Sequence, residues 1–519
     1  MKALFGYTGF VGSNLLLKEK FDYLYNSKNI IEAINKEFDI IYFCAIPATK
    51  WLANKNPNDD IKNILQIINI LDTIKCNKFI LISTIDVYLN IDDNSDEDSS
   101  IHCELNHPYG KYRYIFEQYI MDKFDDYHIF RLPALFGHGL KKNIIYDLLN
   151  NNLINNIPTN SSFQWYNLDW LYDDIKLVIN NNIDICNLFT QPLDSYNIIK
   201  LFDYPLDKFH MDQTIEYNLK TKYHQLFKSS INGYIRDSDT ILNDIKKFIS
   251  YSQINKNQLC ISNICSNLSH QHFASIIKTL GINNIEIAPT KLISWNNLSD
   301  LNLSNYQDLK LNVYSFQSIS YGLNDLNIFT ETNNDFLKHL YQVIDIASKN
   351  NVKVLVFGCP KNRKIENFEL NNRSIAIDFF RDLGDYCNDK NIIICLEPNS
   401  KKYNCNFLNN IKETESITRE INHKNIKMMI DLGNAIMEED NNIINIADIN
   451  DIADIIYHIH ISQEYLRNFT NPHIDNYKFT NMLREIKYDK MITLEMLNPE
   501  DDLELLKLSI INFVNIYGN

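Results

Sequence analysis

The sequence lacks several features that would exclude it from the ordinary globular proteins. It has no stretch of roughly 18 consecutive apolar residues, so we expect no membrane-spanning helix. Basic residues are in deficit, with 50 Lys and Arg against 65 Asp and Glu, and the net charge of −15 argues against a nucleic-acid partner. Glycine and proline are scarce as well, which we attribute to a coding bias toward Asn, Ile and Lys.

Paired cysteines are also missing. The ten cysteines are scattered singly and form no CxxC motif, which in a chain of this length predicts a reduced, cytoplasmic protein. The first twenty residues, "MKALFGYTGFVGSNLLLKEK", have the charge and the apolar stretch of a signal peptide. Their regularly spaced glycines favour a different explanation, given below.

The order of apolar segments predicts two domains. A chain of 519 residues is too long for one core, and its length suggests roughly two to four domains. In the first 200 residues, runs such as "FDIIYFCA" and "FILIST" alternate with amphipathic segments, which predicts a doubly wound parallel α/β sheet. From residue 258, eight strand candidates alternate with helical segments, which predicts a (β/α)8 barrel. The predicted boundaries are 1–250, a linker at 251–257, and 258–519.

Three glycines mark the first strand–helix junction, in "FGYTGFVGSNL". Glycine lets the backbone approach a pyrophosphate, and the start of a helix offers free N–H groups. We therefore predict a dinucleotide-binding turn at Gly6, Gly9, Phe10, Val11 and Gly12. The alternative is a tight turn that only packs against a helix.

Further motifs follow in a consistent order. Thr84 ends the strand-like run in "FILISTIDVY", and Tyr109 and Arg113 lie in "HPYGKYRYIFEQ". With "FRLPALFG" and "SSFQWYNLDWLYDDI", these segments resemble the extended short-chain dehydrogenase/reductase family over about residues 1 to 200. The resemblance implies a Rossmann-type domain that uses NAD or NADP on a sugar or nucleotide sugar. Tyr109 would exchange a proton as hydride moves, while Thr84 holds the substrate oxygen.

This first domain departs from the family in two places. Arg113 replaces a lysine; it lies one helical turn from Tyr109, so its charge favours the phenolate, but its planar fork leaves the ribose contact open. Asn26, Ser27 and Lys28 stand where an acidic residue usually binds the ribose of NAD, and Lys28 favours NADP. The alternatives are a nucleotide-binding module without chemistry, or a surface helix beside a core strand.

Four strand ends of the predicted barrel carry acidic or imidazole groups: Glu397 in "IIICLEP", Asp431 in "KMMIDLG", His460 in "YHIHIS" and Glu495 in "MITLEM". The carboxyl ends of barrel strands converge on one mouth. A charged group there is costly unless it is paired or binds a metal, and these donors suit Mn²⁺, Mg²⁺, Co²⁺ or Zn²⁺. The alternative is four structural polar residues.

These segments resemble the xylose-isomerase-like barrel superfamily of sugar epimerases, isomerases and the endonuclease IV group, over about residues 258 to 515. The resemblance implies that Glu397 and Glu495 bind the metal and move the proton, with Asp431 and His460 as the other ligands. An endonuclease IV-like repair enzyme is an alternative, which the charge of −15 disfavours.

His458 lies two residues before His460, and we expect the two imidazoles to point different ways. His460 alone would then face the mouth, with His458 packed. We expect His270 and His272 at the surface. Further candidate binding residues are Glu286, Gln317, Lys361, Asn362 and Arg363.

Asn434 and Gln463 stand where the family often has His and Glu, which leaves the particular sugar open. We therefore predict a cytoplasmic, bifunctional carbohydrate enzyme: a metal-dependent sugar isomerase or epimerase barrel fused to an NAD(P)-dependent epimerase or reductase-like domain. Its partners would be a sugar, sugar phosphate or nucleotide sugar, with no nucleic acid and no membrane. A homo-oligomer is compatible with the sequence.

Overall fold

The computed structural model describes the chain except for residues 203, 206–207, 210–213, 368, 370, 439–445 and 519. The chain divides into two compact units, Met1–Gln253 and Ile254–Asn519. Among the described residues, no helix has the length and apolar character needed to cross a membrane.

A parallel sheet forms the centre of the first unit. The strands of this unit are β1 Lys2–Phe5, β2 Tyr23–Tyr25, β3 Glu37–Phe43, β4 Lys75–Thr84, β5 Tyr127–Leu132, β6 Ala134–Phe136, β7 Ser162–Phe163, β8 Trp165–Asn167, β9 Ile185–Asn187 and β10 Leu193–Asp194. Within the described residues, six of them pair in parallel in the order β2-β1-β3-β4-β5-β9. The predicted parallel sheet is therefore present, and its second strand is short.

Helices cover both faces of this sheet. They are α1 Phe10–Leu15, α2 Lys50–Lys55, α3 Pro57–Leu71, α4 Pro108–Lys123, α5 Ile144–Asn150, α6 Leu171–Asn180, α7 Ser195–Ile199 and α8 Ser238–Gln253. Side chains alternate along each strand, so Leu4 packs with α1 and α6 while Phe5 packs with α3 and α4. Helix α8 continues to Gln253, so the first part of the segment 251–257 is helical.

The second unit is a closed barrel. Its strands are β11 Leu259–Ser262, β12 Asn284–Ile287, β13 Asn312–Phe316, β14 Val354–Phe357, β15 Ile393–Leu396, β16 Ile426–Asp431, β17 Ile456–Ile461 and β18 Ile492–Leu494. The helices are α9 His270–Thr279, α10 Ser304–Asp308, α11 Asn333–Lys349, α12 Asn372–Tyr386, α13 Ile411–Ile421, α14 Leu432–Glu438, α15 Ile446–Ile452, α16 Asp475–Glu485 and α17 Leu503–Tyr517. The strands pair in parallel from β11 round to β18, which confirms the predicted TIM barrel.

Alternation along the barrel strands positions the polar strand ends. Phe357 packs outward on α12, whereas Val356 joins Cys395 and Met429 in a buried cluster from three neighbouring strands. Glu397 and Asp431 come two residues after Cys395 and Met429. Since side chains two residues apart share a face, the inward-facing series turns from apolar to acidic at the carboxyl ends of these strands.

Candidate functional site

Four buried side chains converge at the carboxyl ends of β15 to β18. Asp431 is the last residue of β16 and pairs in register with His460 of β17, and Glu397 and Glu495 each follow the last residue of their strand. All four are at most 8% exposed. Their ligand atoms lie within 4.8 Å of one another, a spacing that could hold a metal ion.

The imidazole of His460 lies between two of the carboxylates. Its Nδ1 atom is 3.3 Å from Glu397 Oε1 and 3.2 Å from Glu495 Oε2. Within the described part of the chain, this buried nitrogen has no hydrogen-bond partner of acceptable geometry. A buried imidazole nitrogen that faces two carboxylates at this distance is placed where it could serve as a metal ligand.

Neighbouring groups hold two of the carboxylates in place. Asp431 Oδ1 accepts hydrogen bonds from the Ser462 hydroxyl at 2.6 Å and the Asn434 backbone N–H at 2.8 Å. Glu397 Oε2 accepts from the Asn399 side-chain amide at 3.2 Å. Because an added Cβ on Gly358 would lie 2.3 Å from the same oxygen, the glycine is needed for the carboxylate to sit there.

Three carboxylates and one imidazole influence one another's pKa in this group. Burial, together with the charges of Glu397 and Glu495, raises the pKa of Asp431 to about 7, although His460 and Ser462 oppose the shift. Burial acts to lower the pKa of His460, but Glu286 and Glu495 raise it well above its ordinary value. Three carboxylates in one buried space thus need either bound protons or a bound cation.

The expectation that His458 and His460 point different ways is wrong. Side chains two residues apart on a strand face the same side, and the Nε2 atoms of both histidines reach the carboxylate of Glu286 on β12. His458 lies 3.0 Å from Glu286 Oε2 and 3.2 Å from Thr493 Oγ1. It is packed, as expected, but against a buried carboxylate.

The other barrel candidates have different surroundings. Gln317 is buried and donates to Ser262 Oγ at 2.6 Å, and Asn362 donates to the carbonyls of Leu323 and Leu326. Lys361 is exposed. Asn362 and Lys361 therefore have different surroundings, and a binding role for either stays a prediction.

Arg363 differs from its neighbours in the loop after β14. It is fully buried and donates to Asn399 Oδ1 at 2.8 Å, which orients the Asn399 amide toward Glu397. Neither Asn399 nor Ser462 was expected from the sequence, although each lies two residues after a predicted ligand. His272 is 2% exposed, so its expected surface position is wrong, and His270 is half-buried.

In the first unit, Thr84, Tyr109 and Arg113 lie close together, and their catalytic roles stay predictions. The Arg113 guanidinium lies over the Tyr109 ring, 4.0 Å from its centroid, and Thr84 is near enough to the Tyr109 hydroxyl to act on its pKa. However, Arg113 is buried in a two-pronged ion pair with Asp60 and also donates to the Pro47 carbonyl. Its charge is largely balanced by a partner that the sequence did not indicate.

Arg113 is therefore only one of several groups that set the pKa of Tyr109. Burial raises the pKa of the Tyr109 hydroxyl, and although Arg113 and Thr84 oppose this, the pKa stays above its ordinary value. The buried phenol is protonated at neutral pH. It is suited to donate a proton, whereas the phenolate expected from the sequence is disfavoured.

A second cation lies beside this tyrosine. Lys50 Nζ contacts Asp86 Oδ1 at 2.6 Å and the Tyr217 hydroxyl at 3.3 Å, and Asp86 Oδ2 lies 3.4 Å from Thr84 Oγ1. His107 Nε2 is 4.0 Å from the same aspartate. The sequence analysis did not predict this cluster. The acidic residue Asp86, two positions after Thr84, could have indicated a charged group beside the tyrosine.

The glycine turn after β1 is tightly packed. Gly6 has φ of 89°, and an added Cβ on Gly12 would lie 2.3 Å from the Gly6 carbonyl oxygen. Phe10 and Val11 are partly buried against the apolar cluster of this sheet face. The turn is therefore compatible with either expectation, a cofactor-binding turn or a packing turn.

The residues after β2 were expected to read the adenine ribose. Asn26 donates to the Tyr7 hydroxyl at 3.0 Å, and Ser27 and Lys28 are exposed. Gly9 donates its backbone N–H to the Gly6 carbonyl at 2.9 Å. A role for Asn26, Ser27 and Lys28 in choosing between NAD and NADP stays a prediction.

Comparison with known proteins agrees with the fold of the second unit. The family model described as "Xylose isomerase-like TIM barrel" matches residues 274–510. The second unit is therefore a xylose isomerase-like TIM barrel. No curated protein matches the chain.

Solved structures resemble about half of the chain. A 3-keto-D-glucoside 4-epimerase from E. coli is 18% identical, with 50% of this chain and 99% of that chain covered and a TM-score of 0.41. A family 2 AP endonuclease from Brucella melitensis is 11% identical, with 49% and 97% covered and a TM-score of 0.41. The IOLI protein with a bound zinc atom is 16% identical, with 50% and 98% covered and a TM-score of 0.39. Likenesses of this level do not distinguish sugar chemistry from DNA cleavage.

Proposed function

We propose that the barrel is a divalent-metal-dependent sugar isomerase or epimerase that works by proton transfer. The observation that carries the proposal is His460 Nδ1, which is buried and lies 3.2–3.3 Å from Glu495 and Glu397, with no well-aligned hydrogen bond among the described residues. With Asp431, these residues form a donor set of three carboxylates and one imidazole. Such a set fits Mn²⁺, Mg²⁺, Co²⁺ or Zn²⁺.

Glu397, Asp431, His460 and Glu495 would hold the ion, which when bound would polarise a substrate carbonyl. Asp431 is fixed through Oδ1 by two hydrogen-bond donors, so its task is to hold the ion and not to move protons. Among the described residues, Glu397 and Glu495 accept no such pair of hydrogen bonds, and both face His460 Nδ1. One would remove the proton next to the carbonyl, and the other would return it.

Hydrogen exchange with the solvent tests this proposal. A panel of ketoses and sugar phosphates is incubated with the protein in D₂O with each of the four metals, and NMR reports deuterium at the carbon beside the carbonyl. We expect exchange with at least one sugar, and a decrease of about 10²–10⁴-fold in Glu397→Gln and Glu495→Gln.

The control for these variants is Glu485→Gln, since Glu485 is an exposed glutamate at the end of α16. It should exchange like the unchanged protein. No exchange with any sugar and any of the four metals would remove the isomerase proposal, as would full exchange in both glutamine variants.

For the first unit we propose NAD or NADP binding, with an epimerase or reductase-like reaction on a sugar or nucleotide sugar. The observation that favours it is the Arg113 guanidinium over the Tyr109 ring, with Thr84 near the Tyr109 hydroxyl and a glycine turn upstream. Tyr109, held protonated by burial, would donate its proton to the substrate oxygen. The alternative is a module that binds the nucleotide without chemistry.

Calorimetric titration with NAD⁺, NADH, NADP⁺ and NADPH decides between these possibilities. We expect binding of at least one of them, and Tyr109→Phe to keep that binding while it abolishes hydride transfer. Absence of binding by all four removes the proposal for this unit. Binding with equal hydride transfer in Tyr109→Phe would instead remove Tyr109 as the proton donor.

A further inference from the structure

A buried carboxylate lies beneath the group proposed to hold the metal. Glu286 on β12 is 0% exposed, and its Oε2 atom accepts from the Ser315 hydroxyl at 2.7 Å. The Nε2 atoms of both His458 and His460 lie 3.0 Å from its carboxylate oxygens. Three polar side chains therefore converge on one carboxylate in the barrel interior.

The contact to Glu286 decides which nitrogen of His460 carries a proton. When a metal ion takes the place of the proton on Nδ1, the imidazole keeps one N–H, on Nε2, where the Glu286 carboxylate lies at hydrogen-bond distance to accept it. The lone pair is then on Nδ1, the atom that faces Glu397 and Glu495. Without Glu286, the other tautomer would put an N–H toward those two carboxylates and block the lone pair.

We propose that Glu286 is a positioning residue, which fixes the tautomer and ring orientation of His460 so that Nδ1 is presented to the metal. This inference rests on the metal-dependent function proposed above. A carboxylate that accepts the second N–H of a ligating histidine orients the ring and strengthens the ligand. His458 shares the carboxylate and, with Ser315, keeps it in place under His460.

Metal affinity measured apart from activity tests the proposal. Co²⁺ is titrated into the chelator-treated protein in competition with a chromophoric chelator, and the visible Co²⁺ spectrum is recorded. Glu286→Gln keeps the side-chain volume but removes the charge and one acceptor. We expect an affinity about 10- to 100-fold weaker than that of the unchanged protein, with a changed Co²⁺ spectrum.

The matched control is Glu485→Gln, the same change at an exposed glutamate at the end of α16. It should bind Co²⁺ almost like the unchanged protein and keep its spectrum. Thermal unfolding of each metal-free variant checks that the barrel is folded. If Glu286→Gln does not fold, Glu286→Asp serves in its place, because its shorter side chain cannot reach His460 equally well.

The outcomes separate this inference from the proposed function. If the unchanged protein binds no Co²⁺, the metal-dependent function fails and the role of Glu286 fails with it. If the unchanged protein binds Co²⁺ and Glu286→Gln binds it equally with the same spectrum, only the positioning role is overturned. Binding of two equivalents, one of them lost in Glu286→Gln, would also overturn it, since Glu286, His458 and His460 would then form a second metal site.

Discussion

Replacing Asp431 by asparagine should stabilise the metal-free barrel while it weakens metal binding. Asparagine keeps the side-chain shape, and its oxygen can still accept from the Ser462 hydroxyl and the Asn434 backbone N–H. Its amide group would face Glu397 and Glu495, where it replaces a repelling charge by a donor. The substitution therefore removes charge repulsion without removing packing.

The magnitude follows from the pKa of Asp431, which is raised from 3.8 to about 7 in the folded protein. At 1.36 kcal/mol per pKa unit, this shift corresponds to a ceiling of roughly 4 kcal/mol. A carboxyl group with a raised pKa binds more protons when folded than when unfolded, so the free energy of unfolding falls as the pH rises from about 4 to about 7. The penalty is complete above pH 7, which is where Asp431→Asn should help most.

The assay is thermal unfolding of the chelator-treated protein, followed by a probe of the barrel at pH 5.5 and pH 8. If half of the ceiling, about 2 kcal/mol, is realised, the variant should unfold about 4–8 °C higher at pH 8, with a smaller difference at pH 5.5. Added Mn²⁺ should then stabilise the unchanged protein more than the variant. A variant that is less stable at pH 8 without metal would refute the reasoning that the three carboxylates repel one another.

Three further predictions concern other parts of the chain. Gly358→Ala places a Cβ 2.3 Å from Glu397 Oε2 and so displaces that carboxylate. The steady-state rate of sugar isomerisation should therefore fall about 10²-fold, with little change in unfolding temperature. An unchanged rate would contradict the close approach. Glu117→Ala removes the carboxylate that lies 2.7 Å from the buried Arg131 guanidinium. Urea unfolding should then show the first unit destabilised by about 3–5 kcal/mol. A loss of less than about 1 kcal/mol would contradict this expectation. Chelator treatment at pH 8 should lower the unfolding temperature of the barrel and Mn²⁺ should restore it; an unfolding temperature that does not respond to either would oppose a metal site.

The barrel and the residues at its mouth could be predicted from the sequence for simple physical reasons. Eight apolar runs at regular spacing specify the parallel strands, and a carboxylate or imidazole at a strand end must face the mouth or the helices. The local sequence also contained the answer for His458, because strand periodicity alone puts it on the same side as His460. The prediction for His458 was therefore wrong although the sequence contained the information needed.

Other features depend on contacts between distant segments. Glu286 contacts His458, which lies 172 residues later in the chain, and His460 two residues after that. No local sequence pattern indicates a contact over such a separation. Arg113 likewise pairs with Asp60, 53 positions away. Asp60 balances much of the positive charge of Arg113, which the sequence suggested would act on Tyr109. The raised pKa of Tyr109 follows from burial, which the helix pattern "HPYGKYRYIFEQ" does not report.

The most direct test of the central claim is the metal content of the 519-residue chain purified without chelator, measured by elemental analysis and compared with His460→Ala. We predict about one equivalent of a divalent transition metal or Mg²⁺ per chain, and its loss in His460→Ala, since His460 Nδ1 is the buried nitrogen that faces the carboxylates. A protein without bound metal that also fails to bind Mn²⁺, Mg²⁺, Co²⁺ or Zn²⁺ on addition would contradict the account. Equal metal content in His460→Ala would contradict it as well.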